Sequence, residues 1–221
     1  MANKTHKPYA CGHKLFTTPD LYFAVCYEPQ PDCPKHAKVL CENTESGKAI
    51  AAFLSPFDAL LSAAYISEPG KIFHFIPGHM FGPTEHIDDH EGRLVINLHV
   101  GWAAHDGQLL LRHGGQLASY HTVQEQSVSP ENRHHIEFVV ERETLDDLHH
   151  FYELAGLFAY RETFTSVRTW NEQQVHRAVA KAIQTIPGTV RDVEDCNQLA
   201  LYDPEGERWH FVPSTLPADH D

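Results

Sequence analysis

RLVINLHVGWAAHDGQLLLR, residues 93–112, places Leu94, Ile96, Leu98 and Val100 on one side of an extended chain, the period-two pattern of a strand with one buried face. Asp106-Gly107 is a turn dipeptide, so Gln108 to Arg112 is expected to fold back as the partner strand. His135 to Glu141 repeats the alternation with Ile136, Phe138 and Val140 inward. The three segments predict an antiparallel sheet with one wet face. On it, the turn is expected to bring His99 and His113 towards one another on neighbouring strands.

Upstream, Leu21 to Tyr27 is apolar and β-prone and ends where Pro29 and Pro31 stop a strand. Lys38 to Glu42 and Lys48 to Leu54 flank the polar turn at residues 43–47 as a hairpin. Ser55, Pro56 and Asp58 form a helix start: a capping hydroxyl, a proline at the first helical position and an acid in the first turn. The helix is expected over residues 56–66, with Phe57, Leu60, Leu61, Ala64 and Tyr65 on its core face. Lys71 to Ile76 returns as a strand, and residues 77–91 hold too many breakers for a regular element.

Downstream, Thr144 and Asp147 open a second helix with an apolar stripe from Leu145 to Ala155, ended by Gly156. Leu157 to Val167 reads equally as strand or helix. Asn171 caps a third helix, lined by Val175, Val179, Ala182, Ile183 and Ile186 and stopped by Pro187-Gly188. Leu199 to Tyr202 and Arg208 to Val212 close the chain as a hairpin. The expected fold class is α+β, a mainly antiparallel sheet built from hairpins with about three helices packed on one face. Residues 1–221 are expected to form a single domain, with two lobes at about 1–92 and 93–221 as the alternative.

The chain carries 17 Lys and Arg against 30 Asp and Glu, a formal charge of −13, with no basic run. Such a field repels phosphate backbones and favours a basic protein partner. Nucleic acid is therefore not an expected partner. No stretch reads as a secretion signal or a bilayer span, since Ala49 to Ile66 is broken by Pro56 and Asp58, so no membrane and a cytoplasmic location are expected. Protonating all 18 histidines would move the formal charge from −13 to +5, with unperturbed titration at about pH 6.5.

Two groups of residues have the chemistry of metal ligands. The first is Cys11, His13, Cys33, His36 and Cys41, soft and borderline donors at short spacings that suit zinc, with Cys26 mid-strand between them. The second is the loop around His79, His86, Asp88 and His90, downstream of His74, where imidazoles and carboxylates gather in a Gly/Pro-rich segment. It lacks the His-Glu-x-x-His signature, although His86 and His90 would share a face if the segment were helical.

Catalytic signatures are absent: no nucleophile elbow, phosphate-binding loop or dinucleotide fingerprint occurs. Cys196 lies between Asp195 and Asn197, where the neighbouring acid disfavours a thiolate. The expected function is an acidic module that binds and neutralises or regulates a basic protein partner, as immunity proteins do. A small metal-dependent hydrolase using residues 74–90 and a structural zinc-binding protein are the alternatives.

Overall fold

The computed structural model describes residues 14–28, 37–44, 47–66 and 71–214. The strands of the first half are β1 (Lys14–Thr18), β2 (Tyr22–Tyr27), β3 (Ala37–Val39), β4 (Cys41–Thr44), β5 (Gly47–Phe53) and β6 (Phe73–Pro77), with α1 (Pro56–Ala64) between the last two. Then come α2 (Thr84–Asp89), β7 (Arg93–His105), β8 (Gln108–Leu111), β9 (Ser119–Ser127) and β10 (His135–Val139). Helices α3 (Arg142–Leu154), α4 (Tyr160–Val167) and α5 (Glu172–Gln184) precede β11 (Gly188–Val190), β12 (Gln198–Asp203) and β13 (Arg208–Pro213). The class is α+β.

The main sheet has eleven strands, with the path β11-β8-β7-β5-β2-β3 and β4, β6, β9, β12 and β13 attached to it. Most ladders are antiparallel, but β5 runs parallel to β7 and β11 parallel to β8. Helix α1 lies in the connection from β5 to β7, which is long enough for such a parallel crossover. β10 leaves the main sheet altogether. It pairs in parallel with β1 as a separate two-stranded sheet, Leu15 opposite Ile136.

Alternation along the strands sorts two apolar clusters. Phe23, Ile50, Ala52, Leu94, Ile96 and Leu98 belong to the first, joined by Leu148, Phe151, Tyr152 and Tyr160 of α3 and α4. Ala24, Ala51, Phe53 and Trp102 belong to the second, joined by Phe57, Leu60 and Leu61 of α1 and Val175 and Val179 of α5. Helices therefore cover both apolar sides rather than one. The sheet is buried between them, which is why β2 and β5 read as near-continuous apolar runs.

The helix starts follow local chemistry. Ser55 Oγ accepts from the Asp58 amide at 3.1 Å. Asn171 and Gln174 exchange side-chain-to-backbone bonds as a full capping box. The second predicted helix starts earlier than its Thr144 signal: Thr144 is buried and its hydroxyl accepts from Gln124 Nε2 at 3.1 Å instead of capping. The ambiguous residues 157–167 resolve as α4, and the predicted loop 77–91 contains a 3-10 turn at Gly78–Met80 and the short helix α2.

Candidate functional site

β7 is the longest strand, and its main partner is β9 rather than the folded-back β8, which takes only Ala104 and His105. His99 therefore faces His121, not His113. The expected approach of His99 to His113 is overturned because the Asp106-Gly107 turn stands where expected but β8 pairs with β7 only at Ala104 and His105 and ends at Leu111, two residues short of His113. His113 instead stands exposed beside Asp192, 3.3 Å from its carboxylate.

Polar groups gather around His99 where an apolar layer would be expected. Asn97 and His99 are 1% and 4% exposed. Asn97 Nδ2 donates to Glu42 Oε2 at 2.5 Å from the neighbouring hairpin of β4 and β5. His99 Nε2 lies at ion-pair distance from the same oxygen, 3.2 Å, while its Nδ1 is buried without a hydrogen-bond partner among the described residues. The imidazole is clamped by Phe53, stacked on it at 4.7 Å, and its centroid is 5.8 Å from that of His121. His121 is exposed on β9, and its Nδ1 lies 3.1 Å from the Ser119 carbonyl oxygen.

Burial works to raise the Glu42 carboxyl, but the adjacent His99, the Asn97 amide and the His121 charge outweigh it and bring it down to about 2. Asp58 on α1 goes the other way. Burial pushes its carboxyl up to about 6 against the Ser55 hydroxyl, which donates to it at 2.6 Å, and the Trp102 indole. Asp58, His99, Trp102, Tyr152 and Tyr202 line one small chamber, and the Tyr202 hydroxyl is a further buried group without a partner.

A groove of about 240 Å³ opens beside this cluster, lined by Tyr120, His121, Thr122, Glu141, Glu143, Thr144 and Asp147. Glu141, Glu143 and Asp147 are exposed, and among the described residues none of them is ion-paired, whereas Asp146 next to them holds Arg142 at 3.6 Å. The groove owes its charge to the start of α3, where acids suit the positive end of the helix dipole.

The residues singled out as metal ligands are placed as follows. Cys11, His13, Cys33 and His36 lie outside the described residues. Cys41 is half-buried, its thiol directed at the Val39 carbonyl at 3.6 Å and pushed up by burial, so it behaves as a small core side chain. His79 is exposed in the 3-10 turn. His86 and His90 share a face, with rings stacked at 4.0 Å and His90 Nδ1 bonded to the His86 carbonyl at 2.7 Å. Asp88 is ion-paired with Arg133. The loop thus brings two of its four candidates together. Among the described residues, no group of three or more His, Cys, Asp or Glu side chains stands in place to hold a metal ion.

His74 pairs with Glu172 at 2.5 Å, fastening β6 to α5. Cys196 is half-buried with its thiol 3.3 Å from the Gln198 carbonyl. No described helix is long and apolar enough to cross a membrane. Comparison with family models, curated proteins and solved structures returns no match for the chain. The functional reading therefore rests on the site itself.

Proposed function

We propose that the protein is an acidic binding module that occupies a basic protein partner and so neutralises or regulates it. The observation that carries this reading is the groove at the start of α3, where three exposed carboxylates have no ion-pair partner among the described residues. A Lys or Arg side chain entering it meets Glu141, Glu143 and Asp147 on its walls and the Tyr120 ring beside them, a combination of charge attraction and cation–π contact. Tyr120 is a firm support because it packs edge-on against Phe151 at 5.2 Å.

The formal charge of −13 extends the attraction beyond the groove. Association with a basic partner is then steered, rapid and salt-sensitive. The test is affinity capture at low salt with the wild-type chain and with the charge-reversed variant Glu141→Lys, Glu143→Lys, Asp147→Lys. A basic protein retained by the first, lost from the second and released by moderate salt supports the reading. Equal capture by both chains removes the groove as the interface, and capture of acidic or neutral proteins alone removes the proposed partner class.

A further inference from the structure

We infer that the pocket between α3 and α4 binds a monocarboxylate with an apolar tail, of the medium-chain fatty-acid kind, with Arg161 holding the carboxylate. Neither this pocket nor its arginine belongs to the acidic groove, so the site stands apart from the basic-partner reading.

The shape comes first. The pocket measures about 350 Å³ and lies where Thr18 and Pro19, at the end of β1, and Leu54, just ahead of α1, meet the two helices. That is the size of an ordinary small-ligand site. Its walls are Leu145 and Leu148 of α3 and Tyr160 and Phe164 of α4. Leu145 and Phe164 are only partly buried against the first apolar cluster, so an aliphatic tail laid on them completes burial that the fold leaves unfinished. The wall is firm: Tyr160 stacks on Tyr152 at 4.5 Å and meets Phe164 edge-on at 5.7 Å. A tail therefore enters a surface already in place, with little left to order.

Charge sets the head group. The chain has 30 Asp and Glu against 17 Lys and Arg, yet among the described residues no carboxylate lines this pocket, and its charged lining residues are Arg161 and Arg168. The two flank Phe164 and Thr165 at the spacing of one helix face. Arg168 is already satisfied: its Nη1 lies 3.2 Å from Asp20 Oδ2 and its Nη2 donates to the Asp20 carbonyl oxygen at 3.4 Å. Arg161 is not. Its Nε donates to the Tyr160 hydroxyl at 3.1 Å and its guanidinium carbon lies 5.6 Å from the centre of the Tyr160 ring, which fixes the side chain, but it has no ion-pair partner among the described residues. Its two outer nitrogens remain for the two oxygens of a ligand, the bidentate geometry that guanidinium and carboxylate share. One uncompensated cation suits one negative charge. A dianionic phosphate would meet the field of a chain of charge −13 with too little to offset it.

The test is calorimetric titration with octanoate, 1-octanol and octylammonium, which share a tail and differ in head group. One equivalent of octanoate is expected, with the alcohol and the ammonium each binding at least about tenfold more weakly. Arg161→Gln keeps a stem over Tyr160 and removes the charge at an exposed position, so the fold is kept. It should weaken octanoate about 10–100-fold, the loss of hydrogen bonds to a charged group, and leave octanol unchanged. Thr165→Trp, exposed at the rim, fills the pocket and should weaken both. Arg208→Gln, in the neighbouring cleft that also uses Tyr160 and Phe164, should change nothing. Absence of octanoate binding at millimolar concentration overturns the inference, as does octanol that binds as tightly as octanoate, full-strength octanoate binding by Arg161→Gln, or a loss that follows Arg208→Gln instead.

Discussion

His86 shows how much one side chain can make of a short helix. Burial, reinforced by the charge of the stacked His90, pushes its imidazole down to about 4 from an ordinary 6.5. A backbone hydrogen bond to Val95 and the nearby Asp89 charge favour the protonated form, but burial and the stacked His90 outweigh them. Between these two values the unfolded chain binds the proton and the folded chain does not. This contribution to stability is fully present above pH 6.5 and is lost progressively as the pH falls towards 4. His86→Phe keeps an aromatic stack and removes the titration. Its urea midpoint is expected to decline less than that of the wild type across pH 6.5 to 4, and parallel declines would show that His86 is not responsible. At this scale the caps at Ser55 and Asn171 were legible, because a cap depends on three or four neighbouring residues. The meeting of Glu42, His99 and His121 was not, since it depends on which strands pair.

The reason lies in the elements. SYHTVQEQS, the sequence of β9, offers only Tyr120 and Val123 as apolar residues and so carries no period-two signal. Its burial comes from polar contacts instead: Gln124 is buried, donating to Thr144 and accepting from the Glu141 amide at 3.3 Å. β7 shows the complementary effect, a pattern so strong that its beginning was legible while its length and chief partner were not. The register of β7 and β9 shifts between His99 and Gly101, and just beyond it β12 pairs alongside β7, with Leu199 opposite Ala103 and Ala200 opposite Trp102. A Cβ added at Gly101 would stand 2.7 Å from the Leu199 side chain, which is 1% exposed and has no room to retreat. Gly101→Ala is therefore expected to cost about 1–3 kcal/mol by overpacking, read from denaturant midpoints. Leu199→Ala in the same chain relieves the clash, so the double variant should lose less than the sum of the single losses. Strict additivity would mean that the two side chains do not compete for space.

Across the whole molecule, the segments that looked separable in sequence are interleaved. A boundary near residue 92 was a plausible division because the breaker-rich stretch 77–91 ends there and the strong β7 pattern begins. The ladders ignore it: β5 pairs with β7 from Ile50 opposite Ile96 to Phe53 opposite His99, and β1 pairs with β10 more than a hundred residues away. Parallel pairs of this kind have no connecting turn, so no dipeptide announces them, whereas the hairpins of β4 with β5 and β12 with β13 carry their turns in plain view. Both apolar clusters likewise draw on each half, Phe23 and Ile50 packing with Phe138 and Leu148 in one, Phe57 and Leu60 with Val175 and Val179 in the other. Cutting at residue 92 would expose the β5 edge and leave α1 without α5. Unfolding is accordingly expected to be a single transition. All three tryptophans, Trp102, Trp170 and Trp209, lie beyond residue 92 and belong to or pack against the second cluster, so their fluorescence reports on that cluster while far-UV circular dichroism reports on every element. Coincident denaturation curves from the two signals, with no cooperative transition in an isolated 1–92 fragment, are the expected result. Separated midpoints, or a fragment that melts sharply by itself, would show that the two halves are independent lobes despite the strands they share.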